Sequence, residues 1–277
     1  MITFPNAKIN LGLNITARRP DGYHEIESIM IPTGWRDILE VVPSGSQHTS
    51  LRLSGRPIDC PPEKNLVMKA LNALRERADF PAVDIFMRKI IPDGAGLGGG
   101  SADASFLLRS VNELFALDFS NEELAEVAAT IGADCPFFIY NVAMLATGTG
   151  TTLTPVDVPR LAGRSLLIVK PPVHISTARA YAGVTPRPAE IPLTKAIRLP
   201  IEQWRETIRN DFELSLAGEF PMIEEIKAAL YGAGALYASL SGSGSAIYGI
   251  FDDDNMAGQA RMMFDEFDSY VGRFQQF

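Results

Sequence analysis

The sequence predicts a chain of mixed strands and helices that divides into two halves. A strand-like run at residues 83–88 and a helix-like run at residues 104–115 lie on either side of a glycine-rich stretch. A second glycine-rich turn, residues 241–245, separates two more strand-like runs. Between these regions, residues 147–159 are rich in Gly, Thr and Pro, which is typical of a boundary between domains.

The first glycine-rich stretch, residues 91–104, reads Ile-Pro-Asp-Gly-Ala-Gly-Leu-Gly-Gly-Gly-Ser-Ala-Asp-Ala. Glycine allows positive φ angles and lets a ligand approach the backbone closely. Successive backbone N–H groups in such a turn can bind an anion, and a helix that begins near Ser101 would add its positive end. We therefore predict a phosphate-binding loop here. A flexible linker is the alternative, but the strand before the loop and the helix after it argue against one.

Two familiar phosphate motifs can be compared with this loop. A Walker A motif needs Gly-Lys, and no such pair occurs in the sequence. The pattern Gly94-x-Gly96-x-x-Gly99 matches the dinucleotide-binding fingerprint, and Glu113 lies near the expected ribose-binding position. However, residues 120–123 form a capping box that opens another helix, where a dinucleotide-binding unit would have a strand. A dinucleotide-dependent oxidoreductase remains the less favoured alternative.

Composition limits the class of protein. The chain has 277 residues, 46% of them hydrophobic, and a net charge of −8, which disfavours non-specific binding to nucleic acid or to an anionic membrane. Two cysteines and three histidines argue against a disulfide framework or structural zinc. No apolar run approaches the ~18 residues of a membrane span, and the first residues do not resemble a secretion signal. We therefore expect a cytoplasmic protein.

Other elements follow from periodicity and capping signals. Residues 7–16 alternate as a half-buried strand does, so Lys8 and Asn10 should face the same side. A Pro-Asp-Gly turn follows at residues 20–22. Further strands are predicted at residues 26–42, 51–53, 165–169, 235–240 and 246–251. Further helices are predicted after Asn65, at residues 124–131, after Ser176, and at residues 201–216, 221–231 and 255–267.

Asp134 is an acid in a strongly apolar setting. It lies in Gly132-Ala133-Asp134-Cys135-Pro136-Phe137-Phe138, directly after a predicted helix that ends at glycine. Two interpretations stay open on these grounds: a carboxylate that caps a turn, and a functional acid.

Taken together, three motifs resemble those of the GHMP small-molecule kinases, which include galactose, homoserine, mevalonate and phosphomevalonate kinases. They are Ala7-Lys8-Ile9-Asn10-Leu11, Pro92-x-Gly-x-Gly-Leu-Gly-Gly-Gly-Ser-Ala-x-Ala and Ser241-Gly242-Ser243-Gly244. The segments at residues 19–24 and 132–138 resemble one branch of that superfamily. Its members use ATP to phosphorylate the C2 hydroxyl of a cytidyl-diphosphate-linked methylerythritol, in the non-mevalonate route to isoprenoid precursors. Kinases of the homoserine or mevalonate type, and a protein that has kept only the fold, are the alternatives.

The resemblance implies a two-domain α+β fold. Its N-terminal domain, residues 1–155, would contain a left-handed β-α-β unit. Its C-terminal domain, residues 156–277, would be ferredoxin-like, and the family's active site lies in the cleft between the domains. Only the family supplies the left-handed crossover, because the usual β-α-β connection is right-handed.

The resemblance also implies roles for individual residues. Asp134 matches the catalytic base and Lys8 the cation beside it. The positions that match ATP contacts are Asn65, Lys89, Pro92, Asp93, Gly94, Ala95, Gly96, Leu97, Gly98, Gly99, Gly100, Ser101 and Ala102, with Asp93 expected to point away from the phosphates. The positions that match substrate contacts are Asn10, Tyr23, His24, Asp134, Thr177, Tyr181, Gly242 and Ser243. In the family, the two tyrosine positions sandwich cytosine and the histidine reads its edge.

ATP chemistry further implies Mg²⁺. Ser101 and Asp134 offer oxygens for it, but the sequence does not assign its ligands. The expected partner is a small-molecule substrate, with no nucleic acid and no membrane, and the chain is expected to be a monomer or a homodimer.

Overall fold

The chain passes repeatedly between two compact units. The computed structural model describes residues 1–58 and 60–274. One unit is built from residues 1–7, 35–93 and 98–142, and the other from residues 8–34, 94–97 and 143–277. The division into domains at residues 155 and 156 stays a prediction.

Strands and helices alternate along the described chain. The strands are β1 (Ile2–Thr3), β2 (Asn6–Arg18), β3 (His24–Arg36), β4 (Ile38–Pro43), β5 (Ser50–Gly55), β6 (Val83–Lys89), β7 (Met144–Gly148), β8 (Thr152–Pro155), β9 (Ser165–Lys170), β10 (Tyr237–Leu240), β11 (Ile247–Phe251) and β12 (Asp268–Arg273). The α-helices are α1 (Leu66–Arg75), α2 (Gly99–Leu114), α3 (Asn121–Ile131), α4 (Cys135–Tyr140), α5 (Thr177–Ala182), α6 (Leu193–Ala196), α7 (Trp204–Thr207), α8 (Asp211–Leu216), α9 (Met222–Gly232) and α10 (Asp254–Arg261). Short 3₁₀ helices lie at Pro62–Lys64, Pro159–Leu161, Ile201–Gln203 and Met262–Phe264.

The first unit contains a four-stranded sheet in the order β1-β4-β6-β5. Strands β5 and β6 are parallel and α1 connects them, so they form a β-α-β unit. The apolar residues that alternate along β6, Val83, Ile85 and Met87, are buried. This is the pattern expected of a strand that packs one face on a core. Apolar faces of α1, α2 and α3 join this sheet in one hydrophobic cluster.

The second unit contains two four-stranded sheets. One has the order β2-β3-β7-β8 and the other the order β10-β11-β9-β12. In the latter sheet every neighbouring pair is antiparallel. Helices follow β9, the hairpin β10-β11 comes next, and α10 leads into β12, which is the β-α-β-β-α-β succession of a ferredoxin-like domain. Its core contains Leu167, Ile247 and Phe251.

Local capping chemistry sets several helix ends as predicted. Asn65 caps α1, because its Oδ1 accepts a hydrogen bond of 2.9 Å from the N–H of Val67. Ser120 and Glu123 form both hydrogen bonds of a capping box at the start of α3. The predicted strand at residues 83–88 and the helix after the glycine loop are also confirmed as β6 and α2.

Three predicted elements are wrong in extent. The single strand at residues 26–42 breaks at Asp37 into β3 and β4, which belong to different sheets. The helix at residues 201–216 is interrupted after Thr207, because Asn210 starts a new helix and bridges to β2. The helix at residues 255–267 ends at Arg261, and the strand β12 that follows was not predicted. Its half-buried residues lack a clear alternation, and its pairing with β9 is a tertiary contact.

No helix within the described residues is both long enough and apolar enough to cross a bilayer.

Candidate active site

Strand β2 presents Lys8 and Asn10 on the same face, as predicted from alternation. Each is 3% exposed. The Nζ atom of Lys8 donates a hydrogen bond to Oδ1 of Asn10, and Nδ2 of Asn10 donates to Oγ of Ser28 at 2.8 Å. The Ser28 hydroxyl in turn donates to the carbonyl of Gly12 at 2.7 Å. This chain of hydrogen bonds fixes the position of the Lys8 ammonium group.

Residues 94–97 of the glycine loop are held by backbone and hydroxyl groups of the second unit. The N–H of Lys8 donates to the carbonyl of Leu97 at 2.9 Å. The Ser241 hydroxyl donates to the carbonyl of Gly96 at 2.9 Å, and the N–H of Ala246 donates to the carbonyl of Ala95 at 3.0 Å. The first and last superfamily motifs thus both contact the central one.

Gly96 sits where a side chain cannot fit. Its φ is +73°, and a Cβ atom there would overlap the carbonyl oxygen of Ser241. The second glycine turn also lies close to β2, because a Cβ on Gly242 would be 3.1 Å from Asn10 Oδ1 and 3.5 Å from Lys8 Nζ. The glycines therefore allow the two loops and the lysine to pack closely.

We expect Gly96→Ala to destabilise the protein by about 2–4 kcal/mol, since it adds both left-handed strain and an overpacked contact. The measurement is urea unfolding followed by circular dichroism. Gly163→Ala is a matched control, because Gly163 has a φ of +76° and nothing within 4 Å of its missing Cβ. Equal losses of stability in the two variants would show that the contact with Ser241 is not tight.

Asn210 supports the second glycine turn and was missed by the sequence analysis. It is 2% exposed, and its Nδ2 donates to the carbonyls of Leu240 and Gly242 at 2.9 and 2.8 Å. Its Oδ1 accepts a hydrogen bond from the N–H of Phe212, so the same side chain caps α8. The Asn-Asp pair at residues 210–211 is a helix-start signal that could have located this cap.

Aromatic residues predicted to contact a pyrimidine occupy another part of the second unit. The rings of His24 and Tyr181 stack with centroids 4.9 Å apart and planes 22° apart. Tyr181 also meets Phe212 edge to face, whereas Tyr23 is 67% exposed. Nearby in the same unit, the hydroxyls of Thr177 and Ser243 lie 3.3 Å apart. The structure brings His24 to Tyr181 and Thr177 to Ser243, and contact with cytosine stays a prediction.

The helix α2, in the first unit, begins without a side-chain N-cap. Its N-cap is Gly98, which has a left-handed conformation and no side chain to accept from the first turn. That turn contains no acidic residue. The first N–H groups of a 16-residue helix and its positive end suit an anion.

Asp134 occupies the N-cap position of α4, but its side chain makes no capping hydrogen bond to the helix. Asp134 is therefore not a carboxylate that caps this helix, which was one way in which it could have capped a turn. The next residue, Cys135, is buried, and its carbonyl accepts a 2.7 Å hydrogen bond from Ser105 of α2. Burial raises the pKa of the Cys135 thiol to about 11; a hydrogen bond from Ser101 opposes the shift and the charge of Asp134 adds to it. Asp134 is therefore held beside the first turns of α2.

Lys89, at the end of β6, is 5% exposed and forms ion pairs within the first unit. Its Nζ donates to Asp37 Oδ2 and, at 2.6 Å, to Asp103 Oδ2. Burial lowers the pKa of Lys89, but the charges of Asp103 and Asp37 outweigh it and raise the pKa overall. Burial raises the pKa of the Asp103 carboxyl, and the charge of Lys89 opposes that rise. That Lys89 and Asn65 contact a nucleotide stays a prediction.

The predicted residues thus fall in both units. In the second unit, Lys8 and Asn10 lie together with the Gly96 and Gly242 turns. In the first unit, Asp134 and Ser101 both affect the pKa of the Cys135 thiol, and Asp93 is exposed. Within the described residues, no three His, Cys, Asp or Glu side chains form a metal-binding group.

Two family models and several curated relatives match this chain. Residues 65–142 match the GHMP kinases N terminal domain, and residues 194–267 match the GHMP kinases C terminal domain. A 4-diphosphocytidyl-2-C-methyl-D-erythritol kinase of Parabacteroides distasonis is 54% identical over 91% of this chain and 92% of the relative. The chain belongs to the 4-diphosphocytidyl-2-C-methyl-D-erythritol kinase family of GHMP kinases. A relative of the same name from Porphyromonas gingivalis is 49% identical over 91% of this chain and 92% of that protein.

Solved structures agree with this assignment. A crystal structure of a 4-(cytidine 5'-diphospho)-2C-methyl-D-erythritol kinase has a TM-score of 0.86 and 29% identity, and the match covers 98% of each chain. A homoserine kinase from Cytophaga hutchinsonii has a TM-score of 0.73 at 20% identity, over 98% of this chain and 95% of that one. That second likeness shows the fold alone. The α+β fold with both GHMP kinase domains, and membership of a family of ATP-using kinases, are therefore confirmed, and the family assignment replaces the dinucleotide alternative.

Proposed function

We propose that this protein transfers the γ-phosphoryl group of ATP to the C2 hydroxyl of 4-diphosphocytidyl-2-C-methyl-D-erythritol. The products are the 2-phosphate and ADP, and the reaction belongs to the non-mevalonate route to isoprenoid precursors. The observation that carries the proposal is the 54% identity, over nearly the whole of both chains, to a relative with that name. A cytoplasmic location and a monomeric or homodimeric state stay predictions.

ATP binding is assigned to the loop and the helix that follows it. The loop carbonyls of Ala95, Gly96 and Leu97 are occupied by hydrogen bonds from the second unit, which fixes the loop backbone. The residues proposed to contact the phosphates are those at positions 92–102. Backbone N–H groups are suited to this task because they bind phosphate without a counter-charge that must be desolvated. Asn65 and Lys89 are proposed on the nucleotide-base side.

The proposed chemistry divides between two charged side chains. Asp134 accepts the proton of the C2 hydroxyl, and Lys8 orients that hydroxyl and stabilises negative charge during transfer. Phosphoryl transfer passes through a loose transition state, so positioning and electrostatics supply most of the rate and proton removal comes late. The hydrogen bond from Lys8 to Asn10 supports the proposal, because it holds the ammonium group in one place before the substrate arrives.

Mg²⁺ would supply charge neutralisation on the ATP phosphates. Asp134 and Ser101 of the first unit offer a carboxylate and a hydroxyl for such an ion, and both groups act on the pKa of the Cys135 thiol between them. One carboxylate and one hydroxyl are few ligands, but Mg²⁺ commonly completes its shell with phosphate oxygens and water. Asp134 and Ser101 are therefore the residues that would hold it.

Substrate selection is assigned to the aromatic and hydroxyl residues of the second unit. Tyr23, His24 and Tyr181 are proposed to bind the cytosine, because stacking with a hydrogen-bonded edge distinguishes a pyrimidine from an untagged alcohol. The residues proposed to contact the rest of the substrate are Asn10, Thr177, Gly242 and Ser243. Their support is the packing of the Gly242 turn against Asn10 and the contact between Thr177 and Ser243.

A substrate panel tests this function. Coupled detection of ADP should show turnover with the cytidyl substrate at least about 100-fold above homoserine or mevalonate, since a site with unpaired polar groups rejects a ligand that lacks their partners. ATP without an acceptor is the background control. Comparable turnover of homoserine or mevalonate would instead indicate a kinase of that other type.

A further inference from the structure

Two buried carboxylates and one buried lysine lie where β6 passes into the glycine loop. Asp37 is fully buried, Asp103 is 1% exposed, and Lys89 is held between them. None of the predicted roles uses either aspartate. All three residues belong to the first unit.

Asp37 fixes the chain that leads into the loop. It lies at the break between β3 and β4, and its Oδ1 accepts hydrogen bonds from two successive backbone N–H groups, those of Ile90 and Ile91. Its Oδ2 accepts from Lys89. A single carboxylate therefore sets the path of three consecutive residues immediately before Pro92.

Asp103 connects this segment to the helix on the other side of the loop. It lies in the second turn of α2, and its Oδ2 accepts from Lys89 at 2.6 Å. Its Oδ1 is buried and has no hydrogen-bond partner. A buried ion pair with an unsatisfied oxygen adds little net stability, because desolvation offsets the attraction. It does set a fixed distance between β6 and α2.

Gly99, the first residue of α2, lies close to Ile91 and Lys89. A Cβ atom on Gly99 would lie 3.1 Å from Cγ2 of Ile91 and 3.4 Å from Nζ of Lys89. The end of the segment before the loop and the start of the helix after it are thus in contact at the lysine. The direction of the first N–H groups of α2, the proposed phosphate donors, depends on that contact.

We propose that Asp37 and Asp103 are positioning residues for ATP, which hold Lys89 so that both ends of the phosphate loop are set before the nucleotide binds. This inference rests on the proposed kinase function. The two aspartates act through Lys89 and the backbone, without touching substrate.

The test compares Asp103→Leu and Asp103→Asn with the unaltered protein. Asp103→Leu should raise the KM for ATP, and the ATP dissociation constant measured by calorimetry without acceptor, by about tenfold, because a charge-assisted hydrogen bond is lost. The KM for the cytidyl substrate should stay within about twofold, because the residues proposed to bind its cytosine belong to the second unit. Asp103→Asn keeps an oxygen facing Lys89 and should give an intermediate rise.

Ser110→Ala is the matched control. Ser110 is a buried polar residue of the same helix, 1% exposed, and its hydroxyl lies 3.4 Å from that of Thr3. This variant should leave ATP binding unchanged. If Asp103→Leu does not fold, the test uses Asp103→Asn and Asp37→Asn in its place. An ATP dissociation constant that is unchanged in both variants overturns the proposal.

A merely structural role predicts a different pattern. The fraction of active protein and hence the apparent kcat would fall, with both KM values unchanged, and that result also overturns the inference. Failure of the proposed function is seen separately, as an unaltered protein that binds ATP without phosphorylating the cytidyl compound. Calorimetry with ATP then still tests the positioning role.

Discussion

Replacing Asp134 with asparagine should lower kcat by about 10²- to 10⁴-fold, the usual contribution of a general base. The amide has nearly the same shape as the carboxylate but cannot accept the proton of the C2 hydroxyl. The KM for ATP should rise by a smaller factor than kcat falls, because Asp134 is also a proposed Mg²⁺ ligand whereas the other proposed phosphate contacts are unchanged. Steady-state ADP release, measured with each substrate varied in turn, separates the two parameters.

Folding of this variant should be close to that of the parent protein. The Asp134 side chain makes no capping hydrogen bond to α4 that the substitution could remove, and asparagine is itself a favoured N-cap residue. Asp79→Asn, an exposed aspartate of the same unit, is the control and should retain full activity. Near-normal turnover in Asp134→Asn would show that Asp134 is not the general base.

Replacing Lys8 with methionine should lower kcat/KM by about 10²- to 10³-fold, comparable with the loss of one preorganised donor to a developing charge. Methionine keeps the length of the buried side chain while it removes the ammonium group. Removal of the buried ammonium group also removes the cost of desolvating it, which offsets the loss of its hydrogen bond to Asn10. The thermal midpoint should therefore stay near that of the parent protein while activity falls.

Two further variants show whether charge or geometry matters at Lys8. Lys195→Met removes an exposed lysine of the same unit and should have no effect on turnover. Lys8→Arg keeps the charge but not the compact point contact with Asn10, so only partial recovery is expected. Full activity in Lys8→Met, with the protein folded, is the outcome that contradicts a role in transfer.

The local elements of this protein could be predicted because their causes are local. Asn65 and Ser120 begin helices by accepting hydrogen bonds from backbone N–H groups only two or three positions ahead in the sequence. Alternation placed Lys8 and Asn10 on the same face of a strand, and β2 confirms it. The resemblance through three ordered motifs supplied the family, which the comparisons confirm.

Other features depend on residues far apart in the chain. The strand-like run breaks at Asp37, whose carboxylate accepts hydrogen bonds from the N–H groups of Ile90 and Ile91. Those residues lie more than fifty positions away in the sequence. Asn210 interrupts a helix-like run because it binds the carbonyls of Leu240 and Gly242. From the sequence, Lys89 is a cation that could bind a nucleotide. The fold places two acids, Asp37 and Asp103, beside it.

The sequence by itself determined where the glycine loops and the capped helices lie. It also determined the lysine and the aspartate of the proposed chemistry. These depend on steric freedom and on hydrogen bonds between near neighbours, which are encoded within a few residues. Tertiary structure alone decided which donor groups hold the loop carbonyls and which carboxylates hold Lys89. Those choices follow from burial, since a charge or carbonyl removed from water takes whichever partner the packing brings within reach.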